Sequence, residues 1–174
     1  MADRTLDGLR ACITSLDRLI APAVQQAGDQ LAAEQVSLIS KYLGFLVERL
    51  DHAEARSTLE LKLYTETAQN VLASLSEASQ DTGELSRAIG TARAALDGRR
   101  PKAEIESASI AVQAELSRIT RGVRGLDPAL RRRIEKAIVD GSIKVLDLQR
   151  AWVVPQAWES RDKAPDFEAI IRQA

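Results

Sequence analysis

The chain is poor in cysteine, histidine and aromatic residues. Its 174 residues include one cysteine (Cys12), one histidine (His52), two tryptophans, two tyrosines and two phenylalanines. A lone cysteine closes no internal disulfide, and no CxxC pair is present for zinc or redox chemistry. A lone histidine excludes His-rich metal centres, and the Glu-x-x-His pairs of di-iron bundles are absent: His52 follows Glu48 at a spacing of four, and there is no second pair. Metalloprotease, P-loop and dinucleotide fingerprints are missing too. A Ser-His-Asp or Cys-His catalytic arrangement would have to use His52, which sits between Asp51 and Glu54 near the expected end of a helix. There it reads as a surface residue complementing the helix dipole. Cys12 lies beside an expected core position and reads as a small buried filler. No metal, no cofactor and no catalytic residue is expected.

Long apolar runs are also lacking. No charge-free stretch exceeds ten residues, as at Leu19–Gly28, whereas a membrane-spanning helix needs about 20. The opening MADRTLDG has no apolar segment of the kind a secretory signal requires. A soluble, cytoplasmic protein with no membrane contact is the expectation.

Alanine and leucine are abundant, at 27 and 21 residues, which suits close helix packing, and glycine and proline are few, at nine and five. Between those breakers the apolar residues recur in alternating steps of three and four, the period of a helix with one buried stripe. The first such stripe is Leu6, Leu9, Ile13, Leu16, Ile20, with Pro22 starting a new turn or kinking the helix and an end near Gly28. Asp29 is an N-cap for a second stripe, Ala32, Val36, Ile39, Leu43, Leu46, Leu50, Ala53. A third runs through Leu61, Tyr64, Ala68, Val71, Leu75 and Ala78. Ser57 and Glu60 fit a capping box that would separate it from the second, the alternative being one continuous helix across residues 30–79. Leu85, Ile89, Ala92 and Leu96 form a shorter helix with Gly98 as its C′ residue. Ile105 to Val123 form the next, and Asp127-Pro128 caps and starts a long stripe from Leu130 through Gly141 to Trp152. After Pro155 a charged stretch leads to a short helix with Phe167, Ile170 and Ile171. No segment alternates with period two. The expected fold is all-α: an up-and-down antiparallel bundle of about five to six helices with a short C-terminal helix, divided into a bundle over residues 1–151 and an extension over 152–174.

The near-neutral total hides an uneven charge. Residues 1–98 carry 9 Lys+Arg against 14 Asp+Glu, while residues 99–136 carry 10 against 5. Around the turn at Gly122–Asp127 lie Arg118, Arg121 and Arg124 on one side and Arg131, Arg132 and Arg133 on the other. Arginine suits bidentate contact with phosphate or carboxylate, so this end is a candidate for an anionic small molecule or an acidic partner. The alternative is a solvated face paired with acidic residues of the same bundle.

Residues 83–101 imitate a helix-turn-helix, with Leu85, Ala88 and Gly90 at packing and turn positions and Arg87, Arg93, Arg99 and Arg100 toward DNA. The second helix is too short, and the acidic residues 1–98 would repel phosphate, so nucleic acid is not an expected partner. The tryptophans flank an apolar tail: Trp152, Trp158, Phe167, Ile170 and Ile171 are candidate interface anchors, docking on their own bundle or on another chain.

Residues 5–50 hold an early amphipathic helix, a proline near its end, and a second helix rich in Ala, Leu and Val that closes on Arg49-Leu50. In this the segment resembles small all-helical bacterial proteins and domains of unknown function encoded near acyl-CoA dehydrogenases and aminoglycoside-phosphotransferase-like kinases. The resemblance covers about a quarter of the chain and transfers no catalytic residue. It implies an accessory role beside an enzyme acting on acyl-CoA or a hydroxylated precursor. Taken together, the expectation is a non-catalytic protein that binds a protein partner or its own copy. A bundle binding an anionic ligand at the arginine-rich end, or an enzyme using that end, is the alternative, followed by a DNA-binding regulator.

Overall fold

The computed structural model describes residues 4–98, 100–156 and 162–172. Over these residues the protein is an all-α bundle, with no strand among them. It divides into two compact units. Unit 1 comprises residues 1–53 and 152–164, and unit 2 comprises residues 54–151 and 165–174. One division falls at 151/152. A second division falls at 53/54, and the tail is shared between the units.

Unit 1 is a helical hairpin. Helix α1 (Arg4–Ser15) widens into a π-helical turn at Leu16–Ile20 before α2 (Ala21–Ala27). Pro22 stands in the first turn of α2, where its missing N–H and its ring displace the regular ladder one turn back, at the π-turn. Gly28 then takes the left-handed conformation (φ 73°), open to glycine at little cost. Asp29 caps α3 (Gln30–Arg49) by accepting from the Ala32 amide at 3.0 Å, so α3 folds back along α1 and α2. Ser40 Oγ donates to Asp17 Oδ1 at 2.7 Å, which places the Val36–Ser40–Leu43–Val47 side of α3 against the first arm.

The chain leaves α3 through a 3₁₀ turn, Leu50–His52, and continues as α4 (Ala53–Glu77). The helix start expected at Ser57 is therefore corrected. A 3₁₀ turn keeps its own i→i+3 bonds and needs no side-chain cap. Ser57 lies inside α4, and Glu60 faces Arg56 at 4.0 Å instead of capping.

Unit 2 is built around α4, with α5 (Gly83–Asp97), α6 (Lys102–Gly122), α7 (Pro128–Val153, whose last two residues belong to unit 1) and α8 (Phe167–Ile171). Its main core joins Leu61, Val71 and Leu75 of α4 to Leu85 and Ile89, Val112 and Leu116, and Leu130 and Ile134. A second cluster, Leu59, Leu63, Val145 and Leu148, lies on another face of α4. Helix α4 is thus buried on more than its single expected stripe. Its buried Thr65 and Thr67 turn their hydroxyls to the carbonyls of Leu61 and Leu63 at 2.7 and 2.8 Å, which satisfies both donors within the helix.

Two positions fix the packing and the turns. A Cβ on Gly141 of α7 would overlap the Thr67 hydroxyl and stand 2.8 and 2.9 Å from its Cγ2 and Cβ, so α7 approaches α4 this closely only as glycine. Ser79 ends α4 in the left-handed region (φ 52°), with the Gln80 amide donating to the Leu75 carbonyl at 3.0 Å, a Schellman closure. Gly98, expected as the C′ residue of α5, follows the helix at φ −83°, its amide bonded to the Ala94 carbonyl at 3.2 Å.

Candidate functional site

The arginine-rich end forms as the turn chemistry requires. Helix α6 closes at Gly122, a 3₁₀ turn covers Val123–Gly125, and Asp127 caps α7, its Oδ1 accepting from Ala129 and Leu130 amides at 2.8 and 3.2 Å. Arg118 and Arg121 thus sit at the end of α6, Arg124 on the turn, and Arg131, Arg132 and Arg133 in the first turns of α7, all exposed.

Three of these arginines are matched within unit 2. Arg118 bonds Glu115 at 2.9 Å, Arg131 bonds Glu135 at 2.7 Å, and Arg133 reaches across to Glu77 of α4. The Glu115 carboxylate also raises the Arg118 guanidinium above its ordinary range, first by its hydrogen bond and then by its charge. Arg121, Arg124 and Arg132 form no ion pair among the described residues. The amides at the start of α7 already face the Asp127 carboxylate, which would repel an anion approaching that helix end.

The expected anchors separate between the units. Trp152 lies in unit 1, edge-on to Phe45 with ring centroids 6.0 Å apart and beneath the Arg49 guanidinium, 5.8 Å from its ring centroid. Arg49 Nε also donates to the Trp152 carbonyl at 3.1 Å. This is why Arg49, at 8% exposure, is buried: its charge meets a ring face and its donor a carbonyl. Phe167 and Ile171 are buried in unit 2, and Ile170 packs on the cluster of Leu59, Leu63, Val145 and Leu148. Asp166 caps α8 by accepting from the Glu168 amide at 3.0 Å. Trp158 lies outside the described residues, as does Arg99.

Residues 83–97 form one continuous helix through Gly90, so the turn that a helix-turn-helix needs there is absent. Arg87 pairs with Glu84, and Arg93 faces the Gln69 amide. Cys12, expected as a buried filler, is exposed, because α1 turns Leu6, Leu9 and Ile13 inward and residue 12 falls one step round the helix.

A cavity of about 340 Å³ lies between α4, α7 and the tail of unit 2, floored by Leu59, Leu63 and Ile170 and edged by Lys62, Glu66 and Lys144. Glu66 and Lys144 pair with each other at 3.1 Å. Elsewhere on α4, burial raises the Tyr64 phenol above its usual range, with the Glu60 charge adding to it. No cluster of three or more potential metal ligands occurs among the described residues, and no described helix is long and apolar enough to cross a membrane.

Two surfaces escaped the sequence reading. On α7, Val139, Ile143 and Leu146 are 57, 54 and 52% exposed. They lie about 180° round the helix from Ile134, Gly141 and Leu148. The same line continues to Arg132 and Arg150 at its ends, spaced as a heptad seam. On α3, Leu31, Leu38 and Tyr42 are 68, 57 and 54% exposed, on the side away from Ser40, and Ile39, expected in the buried stripe, is 50% exposed beside them. The signal for both was present as a second set of i, i+3, i+4, i+7 positions on helices already given one stripe. Comparison with known proteins adds no relative: no family model, no curated protein and no solved structure matches the chain.

Proposed function

We propose that this protein is a non-catalytic interaction module whose outer α7 seam seats an amphipathic helix of a partner protein. The observation that carries the reading is the stripe Val139–Ile143–Leu146, more than half exposed and opposite the core side of its own helix. Exposed apolar rows at heptad spacing suit helix-on-helix docking. Arg132, unpaired among the described residues, stands on the same seam, and the neighbouring Arg121 and Arg124 make that end basic. The partner helix is therefore apolar on one face and acidic at one end. The likeness of residues 5–50 to proteins encoded beside acyl-CoA dehydrogenases extends the proposal to an accessory subunit of an enzyme acting on acyl-CoA or a hydroxylated precursor.

The test is a pull-down of the full chain, tagged at its N-terminus, from its native cells at moderate salt. A stoichiometric partner chain is expected to be retained by the wild type and lost with the double variant Ile143→Glu and Leu146→Glu, while far-UV circular dichroism stays unchanged. Arg132→Glu is expected to weaken retention most at low salt. Retention indifferent to all three substitutions, or no retained chain at all, overturns the reading.

A further inference from the structure

Helix α3 carries a seam of its own that its hairpin leaves half bare. Leu31, Leu38, Tyr42, Phe45 and Arg49 follow one another at steps of seven, four, three and four, along the side of α3 turned away from α1. The C-terminal part of this line, Phe45 and Arg49, is buried under Trp152. The N-terminal part, Leu31 to Tyr42, is open, about 16 Å long at 1.5 Å per residue.

The charges along its edge indicate what covers it. Glu34 and Lys41 are seven residues apart, on the same flank of the seam, and neither has an ion-pair partner among the described residues. Antiparallel pairing of two identical helices sets the same flank of each against the other. Around a two-fold axis midway between residues 34 and 41, each Glu34 faces the Lys41 of the other copy, so both pairs form together. The same axis passes beside Leu38, which meets its own counterpart, and brings Leu31 of each copy toward the Tyr42–Phe45 end of the other. The spacing of an unpaired acid and an unpaired base about the most central exposed leucine is therefore self-complementary.

From this we infer that the α3 seam is a homodimer interface, in which two copies pair α3 against α3 antiparallel with Leu38 at the dyad and reciprocal Glu34–Lys41 contacts. It rests on the same view of the protein as an association module but uses a different helix from the α7 seam. A single helix pair is small beside the roughly 1,600 Å² of a standard interface, so the dimer is one of micromolar strength.

Sedimentation velocity of the full chain between about 1 and 200 µM tests it, a range that brackets micromolar association. The expected result is a mass rising from 19.0 kDa toward twice that value as concentration rises. Leu38→Glu is expected to leave only monomer. Glu34→Lys and Lys41→Glu, each placing like charges face to face at two symmetric points, are expected to weaken the dimer about tenfold. The exchange of both, Glu34→Lys with Lys41→Glu, restores it. The inference is overturned by a wild type that stays monomeric throughout, or by a double exchange no better than the single variants. A dimer lost with Ile143→Glu and Leu146→Glu but kept with Leu38→Glu also overturns it, and moves self-association to α7. A monomer that still retains a partner through α7 overturns this inference while leaving the proposed function standing.

Discussion

The two units use the same helical code and reach different interiors. In unit 1, α1 and α3 each carry a regular three/four stripe, yet only Leu6, Phe45 and Arg49 are buried among its described residues. In unit 2, α4 alone buries Leu59, Leu61, Leu63, Ala68, Val71 and Leu75. The difference is one of neighbours. A helix in a hairpin has one partner and can cover one side, and what shields α3 further is Trp152 arriving from far along the chain. Helix α4 has neighbours on several sides, so positions between its stripes become core as well. Local stability follows buried apolar contact, so unit 1 is the region expected to open at the lower free-energy cost.

The sharpest way to break the unit 2 side of this comparison is Gly141→Ala. The added methyl meets Thr67 inside ordinary contact distance, on a buried position where neither helix can move freely. A loss of about 3 kcal/mol in chemical denaturation is expected. Adding Thr67→Ala, which removes Oγ1 and Cγ2 but leaves the Cβ 2.9 Å away, should recover part of it. Strict additivity of the two substitutions would count against the close approach of α4 and α7.

A smaller effect is expected from Trp152→Ala, which removes the cover from Phe45 and Arg49. A cost of roughly 2 kcal/mol, below that of a fully buried tryptophan, should show as faster hydrogen exchange in α3, with α5 and α6 unchanged. Equal acceleration everywhere would mean that the two units do not open separately. The smallest change has the opposite sign. Gly90 lies exposed in mid-α5, and nothing stands within 4 Å of a Cβ built there. Gly90→Ala should therefore raise stability by about 0.8–1 kcal/mol, read as a higher denaturation midpoint at unchanged slope. A loss instead would mean that α5 bends at Gly90, as a helix-turn-helix would require.

Much of the fold was legible because helix signals are local. The Gly28–Asp29 turn, the Asp127-Pro128 start and the inward residues of α5 and α6 all follow from spacing and capping within a few residues. The helix boundary near residue 50 was misplaced at Ser57 because a 3₁₀ turn leaves no cap in the sequence. The arginine cluster was legible as a cluster, but its pairing with Glu77 joins residues 56 apart, and no spacing rule reports that. The candidate seams were missed for a related reason: with one stripe assigned to the core, a second stripe on the same helix has no meaning until the packing shows which side is covered.

Composition and periodicity alone determined that this chain is helical, where most of its helices begin and end, and that it holds a single histidine and a single cysteine. The first two properties depend on backbone preference and on neighbours within one or two turns. Which apolar stripe is core and which is surface, why Arg49 can be buried, and why position 141 must be glycine were decided only by tertiary structure. Each depends on a group distant in the chain, Trp152 for Arg49 and Thr67 for Gly141, and burial is a property of what stands opposite a residue rather than of the residue itself.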